Sequence, residues 1–286
     1  MLAVIGTVPD QTFPLTHGLV RMIDDYLIID HRKIIINRGT PALIAAAIKT
    51  AGSIQDSPEI YAFLIGDIGK GDGSRKLYQY LSEHLSEFEF QVLTFHYLQP
   101  DVDWHNKVMF AVEDMEHQPI LIADAGFMYV AKMSGQASSY DLFTPDVGEL
   151  SFLADELAPH PFYTRGFILH QHNQVPELIQ RAYQHKNAAK LLLVKGSMDY
   201  IADEHHIIET VDSPRIEAME AIGGTGDTLT GMVSVLCAVK NFTLPDAATL
   251  AAKANRFSGY YANPTPATQV IDLINSIPQA LLKVLK

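Results

Sequence analysis

Four glycines crowd around one acid, Asp227, in a short stretch of the chain, AMEAIGGTGDTLTGMVSVLC at residues 218–237. Gly223, Gly224, Gly226 and Gly231 surround Asp227, and an apolar run without a breaker follows over 232–239. Glycines let a backbone turn tightly and approach a ligand closely. The first N–H groups of a helix opened by such a turn have no partners within the helix, and its dipole favours an anion in front of them. A phosphate fits that description. A carboxylate beside a phosphate is repelled, so Asp227 points to chemistry: it can take a proton from a substrate hydroxyl, or orient it, next to the anion. The plainer use of the same residues is a glycine-rich loop with Asp227 as a helix cap.

Other residues have types and places that suit the same site. Lys195 closes the apolar run LLLV and is followed by Gly196 and Ser197. A lysine there can reach a phosphate while the small residues let a ligand lie on the backbone; it also fits a surface lysine after a buried strand. Asp146 and Glu149 are three apart at a helix start and share a face. They can hold a magnesium ion through water near a nucleotide's phosphates. The spacing is equally that of a capping box. Asp124 precedes Ala125 and Gly126 at a strand end, facing the site or capping a turn.

The histidines are scattered: His170-x-His172 and His205-His206 are the close pairs, and neither has a second cluster at metal-ligand spacing. No G-x-S-x-G elbow occurs, and Cys237 lies in an apolar run, a poor place for a nucleophile. The glycines at 66, 69, 71 and 73 fail the spacing of a dinucleotide fingerprint.

The elements that must position these residues alternate along the chain. Apolar runs predict strands over 2–7, 26–30, 33–37, 60–65, 90–94, 119–123, 140–143 and 190–194, with a hairpin edge at 206–209. Helices are expected over 42–50, capped by Thr40 with Pro41 first, and over 74–87 and 108–115. Further helices are expected over 147–156 with Asp146 as cap, over 175–185, after the glycine turn, and over 246–261 with a cap in Leu244-Pro245-Asp246. The tail, 268–285, reads as a helix broken near Pro278, whereas 95–106 reads as a mixed loop and Pro159 and Pro161 mark another.

This alternation predicts an α/β fold with a mainly parallel sheet between helix layers. Ligands in such sheets sit beyond the carboxyl ends of the strands. The polar residues expected there are Asp67, Asp124, Thr144 with Asp146, Lys195 and Asp227. No repeat or linker divides residues 1–286, so one domain is expected, with room for a small N-terminal lid or edge element.

Composition narrows the partners. The net charge of −12 without a basic stripe argues against nucleic acid. An anionic ligand must then be held by local N–H groups, a lysine or a metal ion. One cysteine excludes a disulfide framework, and no apolar run is long enough to cross a membrane. The start, MLAVIGTVPD, lacks the basic region of a signal peptide, so the sequence reads as a soluble, cytoplasmic protein. Exposed apolar helices in chains of this type often pair, which leaves a homo-oligomer open.

The motifs together resemble a family. Gly223-Gly224-Thr225-Gly226-Asp227, followed by Thr228-Leu229-Thr230-Gly231, resembles the ribokinase-like superfamily signature and is most similar to that of the ADP- or ATP-dependent NAD(P)H-hydrate dehydratases. Arg38-Gly39-Thr40-Pro41-Ala42 resembles their glycine turn before an alanine-rich helix, and Asp124-Ala125 their strand-end D-A. Thr144-Pro145-Asp146-Val147-Gly148-Glu149 resembles T-P-H-x-G-E, and Lys195-Gly196-Ser197 resembles K-G-[SA]. The order of the motifs along the chain is also the family's.

The resemblance implies a ribokinase-like three-layer α/β/α sandwich. It implies nucleotide-dependent removal of water from hydrated NADH or NADPH, the hydroxyl being phosphorylated and then lost as phosphate, with ADP or ATP and Mg2+ as cofactors. By position, Asp227 is the catalytic acid/base. The N–H groups of Gly224, Thr225 and Gly226 form an anion hole, and Lys195, Gly196, Ser197 and Gly223 to Gly226 contact the nucleotide. Glu149 acts on the metal, and Arg38, Gly39, Thr40, Asp124 and Asp146 lie on the substrate side.

Two departures fall on the substrate side: Asp146 replaces the family's histidine, and Gln99-Pro100-Asp101 stands where a G-P-G-x-G segment is expected. The stretch Gly66-Asp67-Ile68-Gly69 to Gly73 is similar to a segment of sugar kinases in the same superfamily, and Asp146-x-x-Glu149 also fits their magnesium motif. A kinase of a small sugar or other alcohol is therefore the alternative. A nucleotide-binding module with decayed catalysis, and a plain structural or interaction protein, stay open.

Overall fold

The computed structural model describes residues 1–159, 174–265 and 267–286. Pro161 and the His170-x-His172 pair lie outside them. The main sheet has nine strands in the order β12-β11-β10-β9-β8-β7-β1-β6-β2. Its middle is parallel: β10 (Leu191–Val194), β9 (Leu142–Phe143), β8 (Ile120–Ala123), β7 (Val92–Phe95), β1 (Leu2–Val8) and β6 (Ile60–Gly66). Antiparallel strands finish both edges, β2 (Thr16–Leu19) beside β6, and β11 (Asp199–Ala202) with β12 (Ile207–Val211) beside β10. A second, antiparallel sheet joins β3 (Arg21–Ile23), β4 (Tyr26–Ile29) and β5 (Arg32–Ile35).

The middle strands are mostly apolar because helices cover both faces. Side chains alternate across a strand, so Leu2 and Val4 join one core and Ala3 and Ile5 the other. The first core lies under α1 (Thr40–Ala51), α7 (Thr225–Ala238), α8 (Leu244–Ala262) and α9 (Val270–Val284). The second lies under α2 (Asp72–His84), α3 (Val102–Glu113), α4 (Gly126–Met133), α5 (Val147–Ala154) and α6 (Val175–Gln184). This is the expected mostly parallel sheet between two helix layers.

Several local expectations change. The loop expected over 95–106 ends early, because Asp101 accepts from the Trp104 N–H and starts α3 at Val102. The cap of α1 is Gly39, not Thr40, whose hydroxyl bonds His96 instead. Thr243 caps α8, paired with Asp246 in a capping box. Helix α9 runs on through Pro278.

The approach of α7 to α1 sets the position of Asp227. A Cβ on Gly231 would strike the Leu43 carbonyl of α1, so the last glycine of the motif allows two helix backbones to touch. The Thr94 hydroxyl donates to Ser234 Oγ at 2.8 Å and fixes α7 over β7.

Candidate active site

The carboxyl ends of the parallel strands present His96 after β7, Asp124 after β8, Thr144 after β9 and Lys195 after β10. Opposite them, Gly224 caps α7 with φ 107°, a left-handed conformation natural to glycine. The N–H groups of Thr225, Gly226 and Asp227 have no hydrogen-bond partner among the described residues. Asn255 of α8 holds this first turn by donating to the Thr225 carbonyl at 3.1 Å and accepting from Thr228 Oγ1 at 2.7 Å.

Asp227 is buried at the centre. Its Oδ2 accepts the Gly39 N–H at 2.6 Å, and its Oδ1 lies 3.1 Å from His96 Nε2. The other ring nitrogen, Nδ1, is 3.0 Å from Thr40 Oγ1. Desolvation pushes the Asp227 pKa up, but His96, Lys195 and the Gly39 N–H together outweigh it and hold it below the ordinary value. The carboxylate is therefore ionised at neutral pH; it lines the larger of two clefts and bonds Gly39, which lines the smaller.

The larger cleft, about 350 Å³, is lined by Asp124, Asp146, Glu149, Lys195, Gly196, Ser197 and the start of α7. Lys195 Nζ donates to Asp124 Oδ1 at 2.8 Å, while Thr230 donates to Asp124 Oδ2 at 2.6 Å. Desolvation opposes the Lys195 charge, but Asp124 and Glu149 overcome it and raise its pKa. Arg256 pins the turn after Lys195: its guanidinium donates to Asp199 at 2.8 Å and to the carbonyls of Gly196 and Ser197 at 3.0 and 3.1 Å. Asp199 Oδ1 accepts the Gly196 N–H at 3.1 Å.

Asp146 and Glu149 do form the capping box: Asp146 Oδ1 accepts the Glu149 N–H at 2.7 Å, and Glu149 Oε2 accepts the Asp146 N–H at 2.8 Å. Capping and metal binding are compatible, because Asp146 Oδ2 and Glu149 Oε1 have no partner among the described residues. Two such oxygens suit a hard, partly hydrated cation. Desolvation in the cleft pushes the Glu149 pKa up to about 8; Lys195 opposes the rise, and the Asp124 and Asp146 carboxylates add to it.

His96, Asp124 and Asp227 also present ligand atoms within 4.8 Å of one another. Their oxygens are taken by Lys195, Thr230, Gly39 and His96, and the ammonium already supplies positive charge. That cluster is a hydrogen-bonded network, and the free oxygens lie at Asp146 and Glu149.

The smaller cleft, about 290 Å³, is lined by Thr7, Pro9, Arg38, Gly39, Thr40, Asp67, Gly69, Tyr97 and Gln99. Tyr97 lines both clefts. Asp67 is committed to its own loop: Oδ1 accepts from the N–H groups of Gly69, Lys70 and Gly71, and Oδ2 from the N–H and hydroxyl of Ser74. The segment that is similar to sugar kinases thus spends its aspartate on holding the start of α2.

The residues singled out in the sequence are distributed over both clefts. Lys195, Gly196, Ser197, Gly224, Thr225, Gly226, Asp227 and Glu149 meet in the larger one. Asp124 and Asp146 lie with them, whereas Arg38, Gly39 and Thr40 line the smaller one. Gly223 packs against the Arg38 side chain. His96 went unread although it directly follows β7, where strand-end polar residues belong; ending the strand at 94 hid it. Arg256 and Asp199 gave no local signal, being 57 residues apart.

The fold is ribokinase-like, and the strand-end site with its glycine turn sits at the carboxyl edge of its sheet. Phosphofructokinase-2 from Escherichia coli superposes with a TM-score of 0.58 at 13% identity, covering 98% of this chain and 99% of that one. The ADP/ATP-dependent NAD(P)H-hydrate dehydratase from Bacillus subtilis, co-crystallised with ATP/Mg2+, superposes with a TM-score of 0.58 at 14% identity, covering 99% and 89%. An uncharacterized protein of Methanocaldococcus jannaschii is 43% identical over 245 residues, 85% of this chain and 100% of its own length. A sequence profile described as NAD(P)H-hydrate dehydratase matches residues 100–279. The chain belongs to the NAD(P)H-hydrate dehydratase family.

Proposed function

We propose that this protein removes water from hydrated NADH or NADPH in a reaction driven by ADP or ATP. The observation that carries this reading is the ionised Asp227, which lines the larger cleft and bonds Gly39 of the smaller one, beside the N–H groups of α7 that have no partner among the described residues. The larger cleft takes the nucleotide and the smaller one the hydrated cofactor. Asp227 accepts the proton of the substrate hydroxyl as its oxygen bonds to the terminal phosphorus, and the broken P–O bond leaves its electron pair on the departing nucleotide.

Thr225, Gly226 and Asp227 N–H groups and the Lys195 ammonium stabilise the charge on the transferring group. Asp146 and Glu149 would hold a magnesium ion, which supplies further charge neutralisation on the phosphates. In the second half, the C–O bond breaks with its pair going to phosphate. The ring nitrogen's lone pair fills the gap, and the neighbouring carbon releases a proton to water.

The test is recovery of the reduced-nicotinamide absorbance from hydrated NADPH with magnesium and either ADP or ATP. Asp227→Asn is expected to lower turnover by about 10²–10⁴-fold while nucleotide affinity is kept. Nucleotide binding without recovery sinks the dehydratase reading. It would favour a kinase of a small alcohol, which needs the transfer half of the site but not the elimination, and which the substitution at Asp146 also suits. Unchanged behaviour of Asp227→Asn would mark a binding module, and no nucleotide binding a structural protein.

A further inference from the structure

Tyr97 is built unlike a loop residue. Its backbone has φ 45°, a left-handed conformation that is rare for a bulky side chain. Such a conformation is costly for a non-glycine residue, so the surroundings must enforce it. Thr7 Oγ1 does so by donating to the Tyr97 carbonyl at 2.8 Å. The ring stands edge-on to His96 with centroids 4.2 Å apart, so the residue that grips Asp227 also fixes the orientation of this ring. Gly39, φ 76°, lies under the ring: a Cβ there would come 3.6 Å from two of its carbons. Yet Tyr97 is 48% exposed, with its free surface turned to the clefts it lines. A strained, anchored aromatic with an open face beside the central carboxylate is a platform.

Arg38 lines the smaller cleft and backs onto the glycine turn of α7. Its side chain packs against Gly223 and its backbone against Gly224. Its guanidinium has no hydrogen-bond or ion-pair partner among the described residues, while Asp67, the acid in this cleft, has both oxygens filled by its own loop. The cleft therefore offers one flat apolar face and one uncommitted cation.

We propose that the smaller cleft recognises its substrate at two points, a planar ring on the face of Tyr97 and an anionic group on Arg38. This rests on the dehydratase reading and names the recognition it requires. A hydrated dihydronicotinamide keeps a conjugated, flat enamide half that can stack on a phenol ring, and its dinucleotide carries phosphates for a guanidinium. Tyr97 and Arg38 are positioning residues: they place the hydroxyl at Asp227 and take no part in the bond changes.

The test is calorimetric titration of NADPH, the dehydrated product, into protein saturated with ADP, so that the larger cleft is filled. Tyr97→Ala is expected to weaken NADPH binding about tenfold or more, and Tyr97→Phe to preserve it, since the ring and not the hydroxyl is used. Arg38→Ala is expected to weaken it several-fold, by less as salt is raised. Thermal unfolding midpoints close to wild type, measured without ligand, report that each variant is folded. Wild-type binding of NADPH with Tyr97→Ala binding equally well overturns the platform and leaves the dehydratase reading standing. Wild-type protein that binds ADP but not NADPH overturns that reading, and the recognition with it.

Discussion

The two clefts share Tyr97 and are bridged by the Asp227–Gly39 hydrogen bond, but they are built differently. The strand-end and helix walls of the larger one are tied down: Arg256 to Asp199 and to the turn after Lys195, Asn255 to the first turn of α7, Lys195 and Thr230 to Asp124. The smaller one has a rigid floor in Gly39 and Tyr97, but Arg38 at its rim is exposed and unpaired among the described residues. A phosphoryl-transfer site works by positioning charge, so its walls must be preorganised. A recognition site can leave its cation free until the ligand supplies the partner. On the proposed function, the difference suits phosphoryl transfer in the larger cleft and substrate choice in the smaller one.

The comparison breaks most visibly at Arg256. Both partners of the Arg256–Asp199 pair are buried, at 8% and 4% exposure. Arg256→Ala leaves the Asp199 carboxylate without its counter-charge in a place where burial already raises its pKa. A loss of about 3–5 kcal/mol in urea unfolding is expected, together with weaker nucleotide binding as the Lys195 turn loosens. Arg38→Ala on the other side should change stability by less than about 0.5 kcal/mol. Equal stability losses for the two variants would erase the distinction.

What the sequence displayed follows the same division. Glycines, the strand-end lysine and the capping-box pair are local patterns, and they assemble the larger cleft. The alternation of apolar runs displayed the parallel sheet for the same reason. Helix α4 was hidden because Phe127, Met128, Val130, Ala131 and Lys132 are all buried, which leaves no polar face to set a period. Strand β11 has four residues and reverses direction, so it carries no signal of its own beside Lys195. The Arg256–Asp199 pair and the His96–Asp227 contact join distant segments, and nothing in either segment names its partner.

His96 sits on the boundary, so removing it separates chemistry from binding. His96→Gln is expected to lower turnover about 10–100-fold, short of the loss at Asp227 itself. Both the hydrogen bond and the charge of His96 lower the Asp227 pKa, while burial pushes it up. Without His96 that pKa rises, and catalysis needs the ionised carboxylate. The acid limb of the pH–rate profile should therefore move to higher pH, with ADP and ATP affinity unchanged. A uniform fall in rate with an unmoved acid limb would mean that His96 only fills space.

A pH effect has opposite signs in the two clefts. Burial in the larger cleft raises Glu149 from its ordinary value of 4.5 to about 8. Between those values the folded protein keeps a proton that the unfolded chain has lost, so stability falls as pH rises from about 4.5 to 8 and is level beyond. Asp67 in the smaller cleft is the reverse. Burial would raise its pKa, but Ser74 and the loop N–H groups of Gly71 and Gly69 lower it below 3.8. Its contribution is therefore complete at neutral pH and disappears only as pH falls below 3.8. Urea midpoints of wild type, Glu149→Gln and Asp67→Asn across pH read both slopes. Glu149→Gln should flatten the neutral window and leave the acid limb, and Asp67→Asn should do the opposite. A magnesium ion at Glu149 needs the proton gone, so magnesium affinity should climb towards pH 8 in wild type. An unchanged neutral slope in Glu149→Gln would show that this carboxyl titrates in water, and the larger cleft would lose its claim to be the preorganised one.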